Sequence, residues 1–352
     1  MKTIRIEASR CYDVGIGPGL LEAAGERIAA LGGRVRAMVV SDDRVFRLYG
    51  ARLLDSLRRA GLETAQFVFP HGEREKNLTT YGALLETLCR ERFTRRDWIV
   101  ALGGGVVGDL AGFAAATYQR GIPLAQLPTT LLADVDSSVG GKTAVDLAGG
   151  KNQAGAFYQP SLVLCDTCCL ATLSAEEYRC GCAEIIKYAM IGSPELFEDI
   201  SRTPVSSRYE DVIAACVAMK RDYVQADEFD TGKRMMLNFG HSFGHAAEAC
   251  SGYALPHGEA VAMGMAVMSR SAAAAGICTG ETADRLIGLL SAYGLPSELP
   301  YAAEALAEAA RADKKAAGDT LRLVVPEEVG RCRIETVPAG DVLLWLRRGG
   351  VK

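Results

Sequence analysis

Apolar positions in the first half of the chain fall into short β-branched runs separated by stretches with helical spacing. Residues 35–40 predict a buried strand, 46–60 a helix, 64–69 a strand and 78–92 a helix. Residues 97–102 predict a further strand, which runs straight into Gly103-Gly104-Gly105. Such alternation predicts a parallel sheet with helices on both faces. From about residue 165 the period becomes helical. Ser174 is an N-cap for a helix through Met190, and further helices are predicted at 207–226, 240–250, 257–277, 279–293 and 302–314. Residues 321–326 and 330–334 read as a small hairpin, followed by a last helix over 339–348. At 352 residues the chain exceeds one ordinary core. The expected division is an α/β domain over 1–164 and a helical domain over 165–352, with a ligand cleft between them.

Composition narrows the function classes. A formal charge of -4 and a pI near 5.7 leave no global footprint for nucleic acid or an anionic membrane, so any anion binding is local. The N-terminal residues lack the apolar run of a signal peptide, and no apolar span approaches the roughly 18 residues of a membrane helix. The expectation is a cytoplasmic protein. Eleven scattered cysteines form no disulfide framework, which suits a reducing compartment. Cys165, Cys168 and Cys169, with Cys180 and Cys182 nearby, lack the paired spacing of a zinc ribbon and read as small buried hydrophobes.

The chain holds four histidines, and three cluster in sequence: His241, His245 and His257, with His71 alone. On a helix, His241 and His245 at i and i+4 share one face. Two satisfied histidines on a half-buried helix are the simpler alternative. Against it, the loop before His257-Gly258-Glu259 can return a third imidazole to the first two. Glu184, an acid in an otherwise apolar helical stretch, is the candidate carboxylate ligand, because such an acid needs a partner.

The triple glycine between a strand and a helix is where backbone amides can meet a pyrophosphate, since a Cβ would hold the backbone away. A tight turn without a ligand is the alternative. Asp42, at the end of a strand, is placed to hold ribose hydroxyls. Arg120, Lys142 after Gly140-Gly141, and Lys151 after Gly149-Gly150 together suit a phosphate or carboxylate.

Several of these stretches, in order, resemble the 3-dehydroquinate synthase family. They are Gly103 through Phe113, Pro128 through Ala144, Gly150-Lys151-Asn152, Ala183 through Lys187, Leu237 through Ala246, and His257-Gly258-Glu259. The resemblance implies a Rossmann-like NAD-binding α/β domain followed by an all-α metal-binding domain, usually as a homodimer. It implies conversion of 3-deoxy-D-arabino-heptulosonate 7-phosphate to 3-dehydroquinate and phosphate on the shikimate route, with NAD+ and a divalent metal, Zn2+ or Co2+. By position, Glu184, His241 and His257 are the implied metal ligands and His245 an acid/base residue. Asp42, Glu73, Lys76, Gly104, Gly105, Asp109, Thr129, Thr130, Leu132 and Thr172 match NAD contacts, joined by Lys142, Lys151 and Asn152 at the boundary with substrate. Asp136, Lys142, Lys187 and Asp230 match further catalytic positions. Asp136, Lys142, Lys187, Lys220, Arg234, Asn238, His245 and one of Lys314 and Lys315 match the substrate pocket, and Arg120 an arginine presented to the partner subunit. Asp230 stands where a glutamate is usual, and Asp134 and Arg44 are also atypical.

Two other enzymes share parts of this pattern. A sister sugar-phosphate cyclase such as a 2-deoxy-scyllo-inosose synthase would keep the metal triad, but its substrate has no carboxylate to require Arg234 and Asn238. A metal-dependent polyol dehydrogenase would accumulate NADH. A non-catalytic protein stabilised by metal and dinucleotide is the third alternative, and phosphate release from the heptulosonate phosphate would reject it.

Overall fold

The computed structural model describes residues 1–32, 35–313 and 319–352, and they group into two compact units. The first comprises Met1–Leu173 and Tyr209–Phe229, the second Ser174–Arg208 and Asp230–Lys352. The units are not the two consecutive stretches expected from sequence: residues 209–229 belong with the α/β unit.

The first unit is built on a seven-stranded sheet in the order β1-β2-β9-β6-β5-β3-β4. Its strands are β1 (Lys2–Ile6), β2 (Tyr12–Gly17), β3 (Arg36–Asp42), β4 (Glu63–Phe69), β5 (Trp98–Gly103), β6 (Leu124–Pro128) and β9 (Leu162–Asp166). Strands β5, β6 and β9 are buried throughout and β3 through its centre. That is what parallel strands covered on both faces require. Only β1 and β2 pair antiparallel, forming an N-terminal hairpin at one edge. Helices α1 (Leu20–Gly32), α2 (Asp43–Val45), α3 (Ala51–Arg59), α4 (Leu78–Arg90) and α5 (Gly105–Thr117) complete this layer. The helix expected over 46–60 begins as a π turn, Phe46–Gly50, before α3. A second hairpin, β7 (Lys142–Leu147) with β8 (Gly150–Phe157), carries the two glycine-lysine turns.

The second unit is helical: α6 (Ala175–Gly192), α7 (Pro194–Arg202), α9 (His241–Cys250), α10 (His257–Ala274), α11 (Gly280–Ala292), α12 (Ala303–Asp313) and α13 (Val342–Arg348). The expected hairpin is present as β10 (Thr320–Glu328) and β11 (Arg331–Pro338). Ser174 caps α6 with a full capping box: Glu177 N donates to Ser174 Oγ at 3.2 Å, and Ser174 N donates to Glu177 Oε2 at 2.9 Å. Helix α10 is buried on nearly all sides and is the axis of the unit. Its contacts are close because of glycine. A Cβ on Gly258 would lie 2.3 Å from Cys180 Cα of α6, and one on Gly264 would lie 2.0 Å from Gly240 O at the start of α9. These approaches draw α6, α9 and α10 together.

Helix α8 (Tyr209–Ala226) lies in the first unit, where it packs against β1, β2 and the π turn Ala133–Ser137. Its buried positions Val212, Cys216, Lys220 and Val224 repeat every four residues. Glu228 beyond it accepts from Ser9 N at 2.9 Å and Gln159 Nε2 at 2.9 Å.

Candidate active-site residues

In the first unit β3 and β5 are neighbours, with Ser41 opposite Leu102. Their carboxyl ends lie side by side, which brings Asp42 beside the Gly103-Gly104-Gly105 turn. The chain's strand order also reverses here, running to β4 on one side and to β6 and β9 on the other. Open α/β sheets bind ligands at such reversals. Gly104 is the N-cap of α5 and offers no side-chain cap, so the first amides of this helix are open to an anion. A Cβ on Gly104 would come within 3.1 Å of the Thr130 side chain. Thr129 donates its N–H to Gly103 O at 3.0 Å, and its buried Oγ1 has no hydrogen-bond partner. Thr130 Oγ1 accepts from Ala133 N at 3.2 Å, and Leu132 leads into the π turn. Asp42 has a structural task as well, capping α2 by accepting Val45 N at 2.8 Å, while burial raises its carboxyl pKa. Thr172 Oγ1 lies 2.5 Å from the Tyr49 hydroxyl, which also donates to Cys169 O.

A second group gathers around Lys76. Its Nζ is buried, lies 3.0 Å from Asp109 Oδ2 and donates to Asn152 Oδ1 at 2.6 Å. Glu73 Oε1 lies 3.5 Å away and Asp146 Oδ1 4.0 Å, while Lys151 Nζ approaches Glu73 at 3.7 Å. Burial disfavours the Lys76 charge, but Asp109, Glu73 and Asp146 outweigh it and hold the pKa above the ordinary lysine value. Asp109 stands one turn into α5, so this group adjoins the glycine turn. Asn152, at φ 56°, is held in the left-handed region by Asp146 Oδ1, which accepts its N–H at 2.8 Å.

On α8, Lys220 is buried and pairs with Asp136, donating to its backbone carbonyl at 2.6 Å and to its carboxylate. Lys142 is exposed at the start of β7. Arg120 is exposed in a turn where Gln119, Arg120 and Gly121 all have positive φ (52°, 64° and 119°), and Arg95 Nε donates to Gln119 O at 3.0 Å. Two adjacent non-glycine residues in this region mark stored backbone strain.

In the second unit, Glu184 and Lys187 are paired one turn apart on α6, at 0% and 1% side-chain exposure. His241 opens α9, His245 follows one turn later, and His257 opens α10. The rings of His241 lie 5.3 Å from His245 and 5.4 Å from His257. Nε2 of His241 is 3.7 Å and Nε2 of His257 3.4 Å from the same Glu184 Oε1. Ligand atoms of Glu184, His241 and His257 all lie within 4.8 Å of one another. His241 Nδ1 lies 3.1 Å from Phe239 O and His257 Nδ1 3.4 Å from Glu248 Oε2. Both partners only accept, so each Nδ1 carries the hydrogen and each Nε2 turns a lone pair toward Glu184. Three acceptors facing one point require a proton or a cation among them. The two rings respond oppositely. Burial, aided by Lys187, lowers His241 to about 3, whereas Glu184 and Glu248 outweigh burial at His257 and raise it to about 10.

The 3-10 turn Lys233–Asn238 leads into α9 and holds Arg234, buried at 2% exposure, with Asn238 at its end. Asp230 precedes it at φ 56°. Lys314 and Lys315 lie outside the described residues. Two participants went unread in the sequence. Asp146 is five residues before Lys151 in the same hairpin. Glu248 is seven residues after His241, on its helical face, and that spacing was the available signal. Among the described residues no cysteine joins a metal-capable group; Cys165, Cys169 and Cys182 are buried.

Residues 66–180 match the family model described as 3-dehydroquinate synthase N-terminal, and residues 181–316 match 3-dehydroquinate synthase C-terminal. The chain belongs to the 3-dehydroquinate synthase family. It is therefore an enzyme of that family, and its relatives agree. The 3-dehydroquinate synthase of Caulobacter vibrioides (strain NA1000 / CB15N) is 48% identical over 336 residues, 91% of each chain. Among solved structures, a 2-deoxy-scyllo-inosose synthase complexed with carbaglucose-6-phosphate, NAD+ and Co2+ has a TM-score of 0.89 at 26% identity, covering 99% of this chain and 100% of that one. The 2-epi-5-epi-valiolone synthase of Streptomyces hygroscopicus subsp. jinggangensis 5008, with NAD+ and Zn2+ bound, has a TM-score of 0.88 at 27% identity, covering 99% of both chains. This chain, with its parallel-sheet α/β unit and its helical unit, thus shares one fold with these two cyclases. No described helix is long and apolar enough to cross a membrane.

Proposed function

We propose that this chain converts 3-deoxy-D-arabino-heptulosonate 7-phosphate to 3-dehydroquinate and phosphate with NAD+ and a divalent metal, Zn2+ or Co2+, as a cytoplasmic homodimer. One observation carries the reading: two imidazole lone pairs and a buried carboxylate oxygen from α6, α9 and α10 converge within 4.8 Å. That donor set fits a divalent ion with positions left open for a ligand. The buried, unpartnered Thr129 hydroxyl beside the uncapped start of α5 fits a dinucleotide at the glycine turn.

When bound, the metal supplies Lewis acidity at the hydroxyl to be oxidised and NAD+ a reversible hydride acceptor, so that a transient ketone lets phosphate leave by elimination before re-reduction and aldol closure. Glu184, His241 and His257 would hold the ion. Asp42, Glu73, Lys76, Gly104, Gly105, Asp109, Thr129, Thr130, Leu132 and Thr172 would hold the dinucleotide, Lys142, Lys151 and Asn152 its boundary with substrate. Lys76 needs its acids to remain charged while buried, and their fixed positions keep the loops that carry them in register. His245 stands one turn from His241 and would move the proton of the substrate hydroxyl. Arg234 with its planar fork, and Asn238, suit the substrate carboxylate. Lys187, Lys220 and one of Lys314 and Lys315 suit phosphate or its leaving charge, with Asp136 orienting Lys220. Asp230 has a shorter reach than the usual glutamate and would orient its neighbours rather than touch substrate. Arg120 would be presented to the partner subunit. A carboxylate-binding arginine favours this substrate over that of a sister cyclase.

One assay tests the reading. Protein, divalent metal, NAD+ and the heptulosonate phosphate are mixed, and inorganic phosphate and NADH are followed together. Phosphate release without net NADH is expected. Net NADH would assign a polyol dehydrogenase instead, and absence of phosphate release would reject the cyclase.

A further inference from the structure

Glu248 is the one acid of α9, buried at 3% exposure beside the buried Phe243, Gly244, Ala246 and Ala247 of the same helix. Burial of a carboxylate demands partners. One of them is the Nδ1 of His257, 3.4 Å from its Oε2, while the Nε2 of that same ring faces Glu184 Oε1 at 3.4 Å. A carboxylate therefore faces each nitrogen of the ring, Glu248 of α9 holding the Nδ1 hydrogen and Glu184 of α6 lying across from the Nε2 lone pair. His241, by contrast, has a neutral backbone carbonyl behind its Nδ1. The difference matters, because an anionic acceptor fixes the tautomer more firmly than a neutral one and makes the opposite nitrogen a stronger donor.

We propose that Glu248 is a positioning residue that fixes the ring plane and tautomer of His257 and raises the basicity of its Nε2 toward a divalent ion. The inference rests on the reading of Glu184, His241 and His257 as the metal centre. Ser251 and the chain turn before α10 contribute to its reach: Ser251 Oγ donates to Glu248 O, and Tyr253 N donates to the same carbonyl at 2.8 Å, so the end of α9 is tied down where Glu248 meets His257. The grouping of His245, Glu248 and His257 within 4.8 Å also sets this carboxylate beside the histidine assigned to proton transfer.

The test uses the full chain with Glu248→Gln, Glu248→Ala and, as a control, His257→Ala. Zinc affinity is measured by competition with a chromophoric chelator, and the visible spectrum of the Co2+ form is recorded. Glu248→Ala is expected to weaken zinc binding by about 10- to 100-fold and to shift the Co2+ bands. Glu248→Gln keeps the shape and an accepting oxygen but loses the charge, so it is expected to recover part of that loss. A general packing role would lower the unfolding midpoint without moving the Co2+ bands. If the alanine variant does not fold, the isosteric glutamine variant decides alone. Wild-type zinc affinity and an unchanged Co2+ spectrum in Glu248→Gln would overturn the proposal. Wild-type affinity in His257→Ala would instead remove the metal centre itself, whatever the Glu248 variants do.

Discussion

Single side chains at two places carry predictions with opposite signs for stability and function. Asp134 is completely buried in the π turn that also holds Asp136, and its carboxylate oxygens have no partner beyond the weak Cys165 thiol. Burial raises its pKa well above the usual carboxylate value. The folded chain therefore binds a proton that the unfolded chain has released, so stability is greatest below the unfolded pKa, about 3.9. It falls as pH rises from there to the raised native value. Asp134→Asn cannot titrate, and in urea unfolding the wild type is expected to lose about 1.4 kcal/mol per pH unit relative to it across that window. Parallel stability curves would refute a neutral buried acid. Arg234 is the reverse case, a buried cation to which the proposed function gives the substrate carboxylate. Arg234→Leu is expected to raise KM steeply and lower kcat/KM by roughly 10- to 150-fold, the loss of a charge-assisted bond of about 1.5–3 kcal/mol. Unchanged kinetics would take Arg234 out of the pocket.

Among the elements, the approach of α6, α9 and α10 depends on glycine as much as on the apolar stripe of each helix. A Cβ at Gly258 would press on the Cys180 backbone. Gly258→Ala is expected to destabilise the chain by roughly 1–3 kcal/mol and, by tilting α10, to move His257 away from Glu184 and weaken zinc binding. Retained zinc affinity at reduced stability would separate packing from ligand geometry. The sequence made much of this legible for a physical reason: His241 and His245 are set by helical period, and Glu184 stood out because an acid on an apolar face demands a partner. Glu248 is marked only by its i+7 spacing from His241, a weak signal because an acid among alanines otherwise reads as solvent-facing. The hairpin of β1 and β2 was likewise hidden. Its first strand carries two cations and only two apolar residues, Ile4 and Ile6, too short an alternation to stand out, and the pairing of β2 to β9 joins residues far apart in sequence. Amphipathic spacing revealed that α8 is a helix but not which core it covers, since that choice lies in the matching surface of β1, β2 and the Asp136 turn.

For the whole molecule, a net charge of -4 coexists with buried or acid-paired cations in each unit, Lys76, Lys151 and Lys220 in the first and Lys187 and Arg234 in the second. The proposed metal ligands lie wholly in the second unit and the glycine turn wholly in the first. Ligands that bind only the folded state stabilise it by mass action, and each acts through the unit that holds its site. Zinc at a hundred times its Kd is expected to add about 2.7 kcal/mol to unfolding, and a chelator to remove it. His257→Ala should abolish the zinc increment while leaving that of NAD+, because His257 takes no part in the glycine turn. Gly104→Val should do the opposite, since its branched side chain would meet Thr130 and block the open end of α5. Calorimetry of the three chains with zinc, NAD+ or neither reads all six increments. Loss of both in either variant would mean that the two sites are not independent binding units, and loss of neither would leave the proposed ligands without a role.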